Sequence, residues 1–317
     1  MLEERVDISR EGVVSLLARE GRRSLSVVEK KWLLCAAEMA GAGKRVARRL
    51  WGTASGRTVL GQGAGGDRTL GIDDACEKVM LRKLEALAPE PWALLSEEAG
   101  LIEKPEAICR LLVDPLDGSL NAKRGLTPFG ASIAVAYGDK LADVSVGYVE
   151  DYTRPWRFVA VRGAGAVVSD RHGDARVAGL ARENSPSTVE VILLEIGSPH
   201  QCRFAVNNLA LLAGAGELGD MRIRQIGSLA LSLCCLAAGL ADVLVAAVRS
   251  RTVDVAAGLL VLEEAGGGAA ALGEFDLWSA PLDLERRSAF VAWRPGLDAA
   301  EMNERVSRLS KKLAVQA

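Results

Sequence analysis

The sequence predicts a mixed α/β (α+β) fold, and two successive patterns of strands and helices indicate it. Residues 130–168 form short apolar runs separated by turn residues such as Gly138-Asp139 and Gly163–Gly165, which is typical of an antiparallel meander. After about residue 185, apolar strands alternate with helical patterns, as in α/β proteins. The length of 317 residues is sufficient for two closely packed domains.

The predicted elements can be placed in order along the chain. Residues 11–50 hold two helices around a polar break at Gly21–Ser24, and residues 51–71 form a glycine-rich loop or loose hairpin. Further helices are predicted at Asp73–Leu87, Phe204–Ala213, Leu229–Ala238 and Asp254–Ala265. Strands are predicted at Trp92–Leu95, Cys109–Val113, Ala131–Tyr137, Val144–Val149, Arg157–Val161, Ala166–Val168, Val189–Leu194, Met221–Gln225 and Val243–Ala246. We expect an N-terminal extension (1–29), an N-terminal α+β subdomain (30–185) and a C-terminal α/β subdomain (186–317).

The composition is that of a folded protein without a nucleic-acid partner. Hydrophobic residues make up 49% and charged residues 25% of the chain, as in ordinary globular domains rather than disordered ones. The formal net charge is −2, whereas a protein that binds nucleic acid is usually basic.

The sequence indicates neither secretion nor membrane insertion. Its first five residues include acids where a signal peptide needs a basic region and then an apolar run. The apolar stretch 228–248 approaches the roughly 20 residues of a spanning helix, but Gly239 and Asp242 divide it. We expect a buried helix followed by a buried strand there. Six scattered cysteines without a CxxC pair are typical of a reducing compartment, so we expect a cytoplasmic protein.

The scarcity of histidine excludes much hydrolytic chemistry. Only His172 and His200 are present, whereas zinc hydrolases need His and Cys ligands and triad hydrolases need a placed His base. A metal site in this chain must therefore consist mainly of oxygen ligands, which favour magnesium, manganese or calcium.

The most specific motif is Asp114-Pro115-Leu116-Asp117-Gly118-Ser119-Leu120-Asn121. Asp114 ends an apolar strand, and Pro115 prevents that strand from continuing as an ordinary ladder. The Asp117-Gly118 step favours a turn into a helix, so the two carboxylates can point at one spot. Gly118 allows close approach of a ligand to the backbone, and the following amides and the Ser119 hydroxyl suit a phosphate. Taken alone, the motif also fits a strand-to-helix turn with Asp and Ser caps.

Two further groups of acids precede this motif and are less specific. The pair Glu97-Glu98 follows a predicted strand, which suits metal binding, a solvated loop or the first turn of a helix. Asp73 and Glu77 have i,i+4 spacing on a predicted helix and so share a face. That spacing is also the pattern of an ordinary polar helix surface.

The last acidic group belongs to the helix that begins near Asp254. An acid at the start of an otherwise apolar helix can bind a ligand or merely cap the helix. Small residues at 256–258 allow close packing of this helix. We expect Glu263 and Glu264, in its last turn, to face solvent.

Together these motifs resemble the inositol monophosphatase family, including archaeal members that also act on fructose 1,6-bisphosphate. That family carries an acid pair of the form SEE or GEE, then DPxDGT/SxN, then a WDxAAG-like helix ending in EEAGG. This chain has SEE at 96–98, DPLDGSLN at 114–121 and VDVAAG to EEAGG at 253–267, in the same order. Gly227-Ser228 lies in a segment similar to the family's GS/TAA. The resemblance covers about residues 30–295.

The resemblance implies a layered α-β-α-β-α sandwich of two subdomains with the site between them. It implies Mg²⁺-dependent hydrolysis of phosphate monoesters of small sugars or cyclitols, such as inositol 1-phosphate or fructose 1,6-bisphosphate, by a homodimer. Asp73 and Ser119 would orient the attacking water, which bound metal activates. Two or three Mg²⁺ ions per site, or Mn²⁺ in their place, would bind Glu97, Asp114, Asp117, Asp254 and the Leu116 carbonyl. Substrate contacts would come from Gly118, Ser119, Gly227 and Ser228.

Departures from the family pattern bear on the substrate. Ala247 stands where dedicated inositol monophosphatases place an acid that binds inositol hydroxyls. Arg249 and Arg251, with Arg224, could instead contact a second phosphate, because Arg matches phosphate geometry; the alternative is ordinary surface charge. We therefore hypothesise a broad or bisphosphate-tolerant substrate range.

Two alternative functions stay open from the sequence. One is a 3′-phosphoadenosine 5′-phosphate phosphatase of the same superfamily, which would require a base-binding pocket that the sequence does not reveal. The other is a catalytically degenerate homologue that binds a sugar phosphate or a partner protein. Metal-dependent turnover of phosphate esters distinguishes the second alternative from an enzyme.

Overall fold

The computed structural model describes residues 10–169, 175–177, 189–196, 221–247, 250–285 and 289–316. Its α-helices are α1 (Arg10–Glu20), α2 (Val27–Leu50), α3 (Ala54–Arg57), α4 (Gly71–Leu87), α5 (Ser119–Arg124), α6 (Leu229–Ala237), α7 (Thr252–Glu264) and α8 (Ala299–Gln316). Its strands are β1 (Val59–Gln62), β2 (Arg68–Leu70), β3 (Trp92–Ser96), β4 (Gly100–Ile102), β5 (Cys109–Asp117), β6 (Gly130–Ala136), β7 (Val144–Asp151), β8 (Arg157–Val161), β9 (Gly165–Ser169), β10 (Ala175–Val177), β11 (Val191–Glu195), β12 (Arg222–Arg224), β13 (Val243–Ala246), β14 (Gly268–Ala271) and β15 (Phe290–Trp293).

The larger sheet has eight strands in the order β10-β9-β8-β7-β6-β5-β3-β4. Strands β6 to β9 pair antiparallel with their sequence neighbours, so the predicted meander is confirmed. Strand β5 pairs with β3 in parallel and with β6 antiparallel. Its register with β6 shifts between Asp114 and Asp117, because Pro115 has no N–H to donate to the ladder. The strand is therefore irregular at the motif that carries the acids.

The smaller sheet has five strands in the order β12-β11-β13-β15-β14. Strand β11 is parallel to β12 and β13, and β15 is antiparallel to β13 and β14. This part of the chain therefore has the α/β alternation that the sequence predicts. The predicted helix at 204–213 and the predicted subdomain boundary at 185/186 lie outside the described residues.

Helices and sheets stack in five layers, as the layered sandwich requires. Helices α2 and α4 pack on one face of the larger sheet, and α7 packs across its other face. Along β5, Leu111 and Val113 belong to the core beneath α2 and α4, whereas Leu112 belongs to the core that contains α6 and α7. This alternation follows from the two-residue period of a strand. Helix α8 covers the outer face of the smaller sheet through Met302 and Val306.

The predicted N-terminal extension packs beside one end of the larger sheet. Helix α1 packs against α2 and against β8, β9 and β10. Two hydrogen bonds of Arg22 fix the loop that follows α1. The Arg22 N–H donates to the Ala164 carbonyl at 2.8 Å, and the Arg22 guanidinium donates to Glu264. Residues 1–9 of this extension lie outside the described residues.

The expectation that Glu264 faces solvent is wrong. This side chain is buried, and its carboxylate accepts hydrogen bonds from the Gly163 N–H at 2.7 Å and the Gly165 N–H at 2.8 Å. Turns inside a packed structure need acceptors for their amides, and Glu264 supplies two of them. Its neighbour Glu263 stays partly exposed.

The apolar stretch 228–248 forms a buried helix and then a buried strand, α6 and β13, as predicted. Between them the Asp242 carboxylate accepts the Val191 N–H at 2.8 Å and binds the Arg294 guanidinium at 2.5 Å. In the described part of the chain, no helix combines the length and hydropathy needed to cross a membrane.

Candidate active site

Carboxylates from three elements meet beside the larger sheet. Glu97 directly follows β3, Asp114 lies in β5, and Asp254 lies in the first turn of α7. Strands β3 and β5 are parallel neighbours with Ser96 opposite Val113, so the acids that follow these residues lie side by side. Carboxylate oxygens of Glu97, Asp114 and Asp254 all lie within 4.8 Å of one another.

The Asp114–Ser119 turn is fixed by its own hydrogen bonds. The Asp114 Oδ1 accepts the Leu116 N–H at 2.9 Å, and the Ser119 hydroxyl donates to the Leu116 carbonyl at 2.9 Å. Gly118 has a φ of 90°, which side chains rarely tolerate. A Cβ at this position would lie 3.1 Å from the Gly227 carbonyl oxygen. The glycine therefore allows the β5 turn to meet the segment before α6.

Asp117 links that turn to the first turn of α6. Its carboxylate accepts the Ser228 hydroxyl at 2.5 Å, the Ala230 N–H at 2.8 Å and the Leu229 N–H at 3.2 Å. Unpaired amides at a helix N-terminus favour such an anion. Asp117 thus lies beside the three clustered carboxylates but is held by α6, and it does not belong to the group whose oxygens lie within 4.8 Å of one another.

Arg251 places a positive charge among the acids. Its Nη2 contacts Glu97 Oε1 at 2.6 Å and Asp254 Oδ1 at 3.0 Å. Its Nη1 contacts the Gly65 carbonyl oxygen at 3.1 Å and Asp67 Oδ2 at 3.2 Å. The side chain is buried, so the surface-charge interpretation of this arginine is wrong.

Asp73 and Ser119 lie on the side of the site next to α4. The Asp73 Oδ2 accepts the Leu70 N–H at 2.8 Å, whereas its buried Oδ1 has no hydrogen-bond partner in the described structure. A buried carboxylate oxygen without a donor is costly. Such an oxygen is suited to accept a hydrogen bond from a water molecule or a substrate.

Burial dominates the electrostatics of these acids. It raises the pKa of Asp73, Glu97 and Asp117 to about 7 each. Burial, together with the charges of Glu97 and Asp117, raises the pKa of Asp114 well above its usual range. Buried carboxylates with raised pKa values are stabilised by nearby cations. The site therefore favours binding of positive charge beyond the single guanidinium of Arg251.

A cleft of about 320 Å³ opens above the cluster. Its lining includes the clustered acids, Gly118, Ser119, Gly227 and Arg251. A volume of this size suits a small molecule. A larger cleft of about 490 Å³ lies elsewhere, beside Lys104 and Tyr137, and contains none of the clustered carboxylates.

Glu195 is a residue of the cleft that the sequence reasoning missed. It ends β11, is buried, and accepts the Gly227 N–H at 3.0 Å and the Ser232 hydroxyl at 2.8 Å. Glu195 thereby fixes the segment around Gly227, just before α6, to the smaller sheet. Glu195, like Asp114, is an acid at the end of an apolar strand, so the same sequence pattern could have identified it.

Other predicted residues lie outside the cluster. Glu77 is buried and accepts hydrogen bonds from the Ser96 hydroxyl and from the Ala99 N–H at 3.1 Å, so it supports the loop that carries Glu97. Arg224 is exposed on β12 and is absent from the described lining of the cleft. Arg249 lies outside the described residues.

The donor set fits a hard divalent cation. Glu97, Asp114 and Asp254 offer oxygen atoms, and no described His or Cys joins them. Oxygen ligands favour ions such as Mg²⁺, Mn²⁺ or Ca²⁺ over softer metals. The cluster can therefore hold a metal ion at the base of the cleft.

Comparison with proteins of known family extends these observations. A model of the inositol monophosphatase family matches residues 30–307. The chain is 32% identical over 202 residues to the Nus factor SuhB of Pasteurella multocida, an alignment that covers 63% of this chain and 70% of that protein. It is 29% identical over 249 residues to a fructose-1,6-bisphosphatase/inositol-1-monophosphatase of Methanothermobacter thermautotrophicus, which covers 74% of this chain and 82% of that protein.

The solved structure of the inositol monophosphatase of Thermotoga maritima has the same fold. It superposes with a TM-score of 0.65 at 22% identity and covers 87% of this chain and 96% of its own. The matched range spans the positions of the acids at 97, 114 and 254. The chain therefore belongs to the inositol monophosphatase family and is a phosphoric monoester hydrolase.

Proposed function

We propose that this protein is a Mg²⁺-dependent phosphatase of small sugar or cyclitol phosphates, with inositol 1-phosphate and fructose 1,6-bisphosphate as the first candidates. The observation that carries the proposal is the carboxylate cluster in a polar cleft, formed by the buried Glu97 and Asp114 and the partly buried Asp254. The chain offers oxygen ligands there rather than a histidine base, which suits metal-dependent hydrolysis.

Each group around the cleft has a role in this proposal. Glu97, Asp114, Asp117, Asp254 and the Leu116 carbonyl would hold two or three Mg²⁺ ions, or Mn²⁺ in their place. Bound Mg²⁺ would supply positive charge to the phosphoryl oxygens and lower the pKa of a nearby water.

The remaining groups of the site position the reactants. The free Oδ1 of Asp73 would accept a hydrogen bond from the attacking water and, with the Ser119 oxygen, orient it toward phosphorus. The backbone at Gly118 and the Gly227-Ser228 segment would border the phosphate. In-line attack on phosphorus depends mainly on such positioning and on neutralisation of charge.

The proposed substrate range is broad. Ala247 offers no carboxylate with which to bind cyclitol hydroxyls, so strict specificity for inositol is not expected. Arg249 and Arg251, with Arg224, are proposed to contact a second phosphate of a bisphosphate substrate, and Arg251 is the one of the three that lines the described cleft. A cytoplasmic homodimer remains part of the proposal by analogy with the family.

The test is phosphate release with and without Mg²⁺ from inositol 1-phosphate, fructose 1,6-bisphosphate and 3′-phosphoadenosine 5′-phosphate. For Asp114→Asn we expect kcat/KM to fall by about 10³-fold, equivalent to roughly 4 kcal/mol of transition-state stabilisation. For Asp73→Asn we expect a kcat lower by about 10²- to 10⁴-fold, the usual contribution of a positioned proton acceptor.

The matched control is Asp74→Asn, which removes a neighbouring carboxylate that pairs with Lys78 on the partly exposed face of α4. Its activity should stay near that of wild type. Equal activity of Asp114→Asn and wild type, or phosphate release that does not depend on Mg²⁺, would refute the proposed mechanism. Preference for the adenosine substrate would instead favour the nucleotide alternative.

A second candidate is binding of a partner protein, because a relative with 32% identity is named as a Nus factor. This candidate concerns partner binding in addition to hydrolysis, and it predicts that phosphate release from all three esters with Mg²⁺ or Mn²⁺ is slow. Efficient metal-dependent turnover in the same assay would remove the reason to prefer it.

A further inference from the structure

Arg251 is buried at the point where the proposed metal ligands converge. Only 7% of the residue is exposed. Its Nε contacts Asp254 Oδ1 at 3.1 Å, and its Nη2 contacts Glu97 Oε1 at 2.6 Å. A planar guanidinium that binds two carboxylates in this way is well matched to them.

The same two carboxylates belong to the group that can surround a metal ion. With Asp114 they form the set whose oxygens lie within 4.8 Å of one another. A carboxylate oxygen that accepts a short hydrogen bond from Arg251 has less electron density to offer a cation. A divalent ion and a guanidinium also repel each other at such distances. Full coordination by Glu97 and Asp254 therefore conflicts with the contacts of Arg251.

Arg251 also has partners on the side away from the cluster. Its Nη1 contacts the Gly65 carbonyl and the Asp67 carboxylate in the loop between β1 and β2. A Cβ on Gly65 would lie 2.2 Å from Nη1, so this loop closes directly over the guanidinium. These loop contacts can keep the Arg251 guanidinium in place when its contacts with Glu97 and Asp254 are lost.

We propose that the Arg251 guanidinium competes with the divalent ion for Glu97 and Asp254, so that it weakens metal binding and stabilises the metal-free protein. This inference rests on the metal site of the proposed function. It assigns to Arg251 the role of an internal counter-ion that gives up the two carboxylates, and keeps Asp67 and Gly65, when metal binds. Arg251 is then a residue that tunes metal affinity, in addition to any contact with substrate.

The test is titration of EDTA-treated, metal-free protein with Mn²⁺, followed by the electron paramagnetic resonance signal of the free ion. Arg251→Met removes the charge and keeps most of the apolar volume. Because metal would no longer displace a charge-assisted hydrogen-bonded pair, we expect the Kd for Mn²⁺ to fall by roughly 10- to 100-fold. The metal-free variant should unfold at a lower urea concentration than wild type, since Glu97 and Asp254 lose their counter-ion.

Two further variants make the result specific. Arg308→Met removes an exposed, ion-paired arginine on α8 and should leave the Kd for Mn²⁺ unchanged. Arg251→Lys keeps one charge but is too short and compact to join Glu97 to Asp67, so we expect an affinity between those of wild type and Arg251→Met. The lysine variant also provides the comparison if the methionine variant does not fold without metal.

The outcomes separate this inference from the proposed function. Wild type that binds Mn²⁺ while both Arg251 variants bind it equally or more weakly would overturn the inference and leave the metal site intact. Failure of wild type and variants alike to bind Mn²⁺ would overturn the metal site and the inference with it. Tighter binding by both variants, in the expected order, supports the inference whatever ester the enzyme prefers.

Discussion

Glu264 offers a quantitative test of how the end of α7 is joined to the larger sheet. Its carboxylate accepts the Gly163 and Gly165 amides and contacts the Arg22 guanidinium. These partners lie about 100 and 242 residues away along the chain. Replacement of Glu264 by Ala removes the acceptor from all three donors at once and leaves the helix propensity of the position little changed.

The magnitude follows from the environment of each donor. The buried Gly165 N–H would lose its acceptor, which costs about 1–3 kcal/mol. The Gly163 amide is more accessible to water, so its loss costs about 1 kcal/mol. The Arg22 side chain is 60% exposed, and an ion pair with such a partner contributes under about 1 kcal/mol. We therefore expect Glu264→Ala to lower the free energy of unfolding by about 2–5 kcal/mol.

The assay is urea unfolding of the metal-free protein, followed by far-ultraviolet circular dichroism. Glu263→Ala is the matched control, because Glu263 is in the same helical turn and makes a partly exposed ion pair with Arg162 at 3.0 Å. The free energy of unfolding of Glu263→Ala should be lower than that of wild type by no more than about 1 kcal/mol. If Glu264→Ala loses less than about 1 kcal/mol, or no more than Glu263→Ala, the buried carboxylate does not anchor the turn.

Two other predictions concern substrate contact and thiol chemistry. Arg249→Ala should raise the KM for fructose 1,6-bisphosphate and leave that for inositol 1-phosphate unchanged, since Arg binds phosphate well; equal KM values for the bisphosphate before and after substitution would disprove the contact. Burial raises the pKa of the Cys35, Cys109 and Cys235 thiols to about 12, so at pH 8 they stay protonated and poorly nucleophilic. The Cys202→Ser variant keeps five cysteines, all of them buried. In its native state it should therefore not react with Ellman's reagent until urea unfolds it, and prompt labelling of the native variant would contradict the described burial.

The sequence predicted most of the described secondary structure because local patterns encode it. The apolar runs and turn residues of 130–168 predicted the meander of β6 to β9, and Gly239 with Asp242 correctly divided the apolar stretch into α6 and β13. Short edge strands such as β4 and β14 were missed. Such strands carry few residues, and their pairing partners rather than their own sequence define them.

The sequence alone also determined which residue types the site contains. Carboxylates at strand ends, the DPLDGSLN motif and the near absence of histidine restrict the chemistry to oxygen ligands and a hard metal ion. These features depend on local spacing and on composition, which can be read without knowledge of long-range contacts. They therefore predicted an oxygen-ligand metal site, and the resemblance of the motifs to the inositol monophosphatase family implied a metal-dependent phosphatase.

The tertiary structure decided which of these groups share one environment. It placed the Arg251 guanidinium on Glu97, 154 residues away, directed Asp117 to the first turn of α6, and buried Glu264 against turns of the larger sheet. Local spacing contains no information about such partners, because they are brought together by the packing of helices between two sheets. Burial then sets the charge balance of the site, since desolvation and neighbouring charges act through space rather than along the chain.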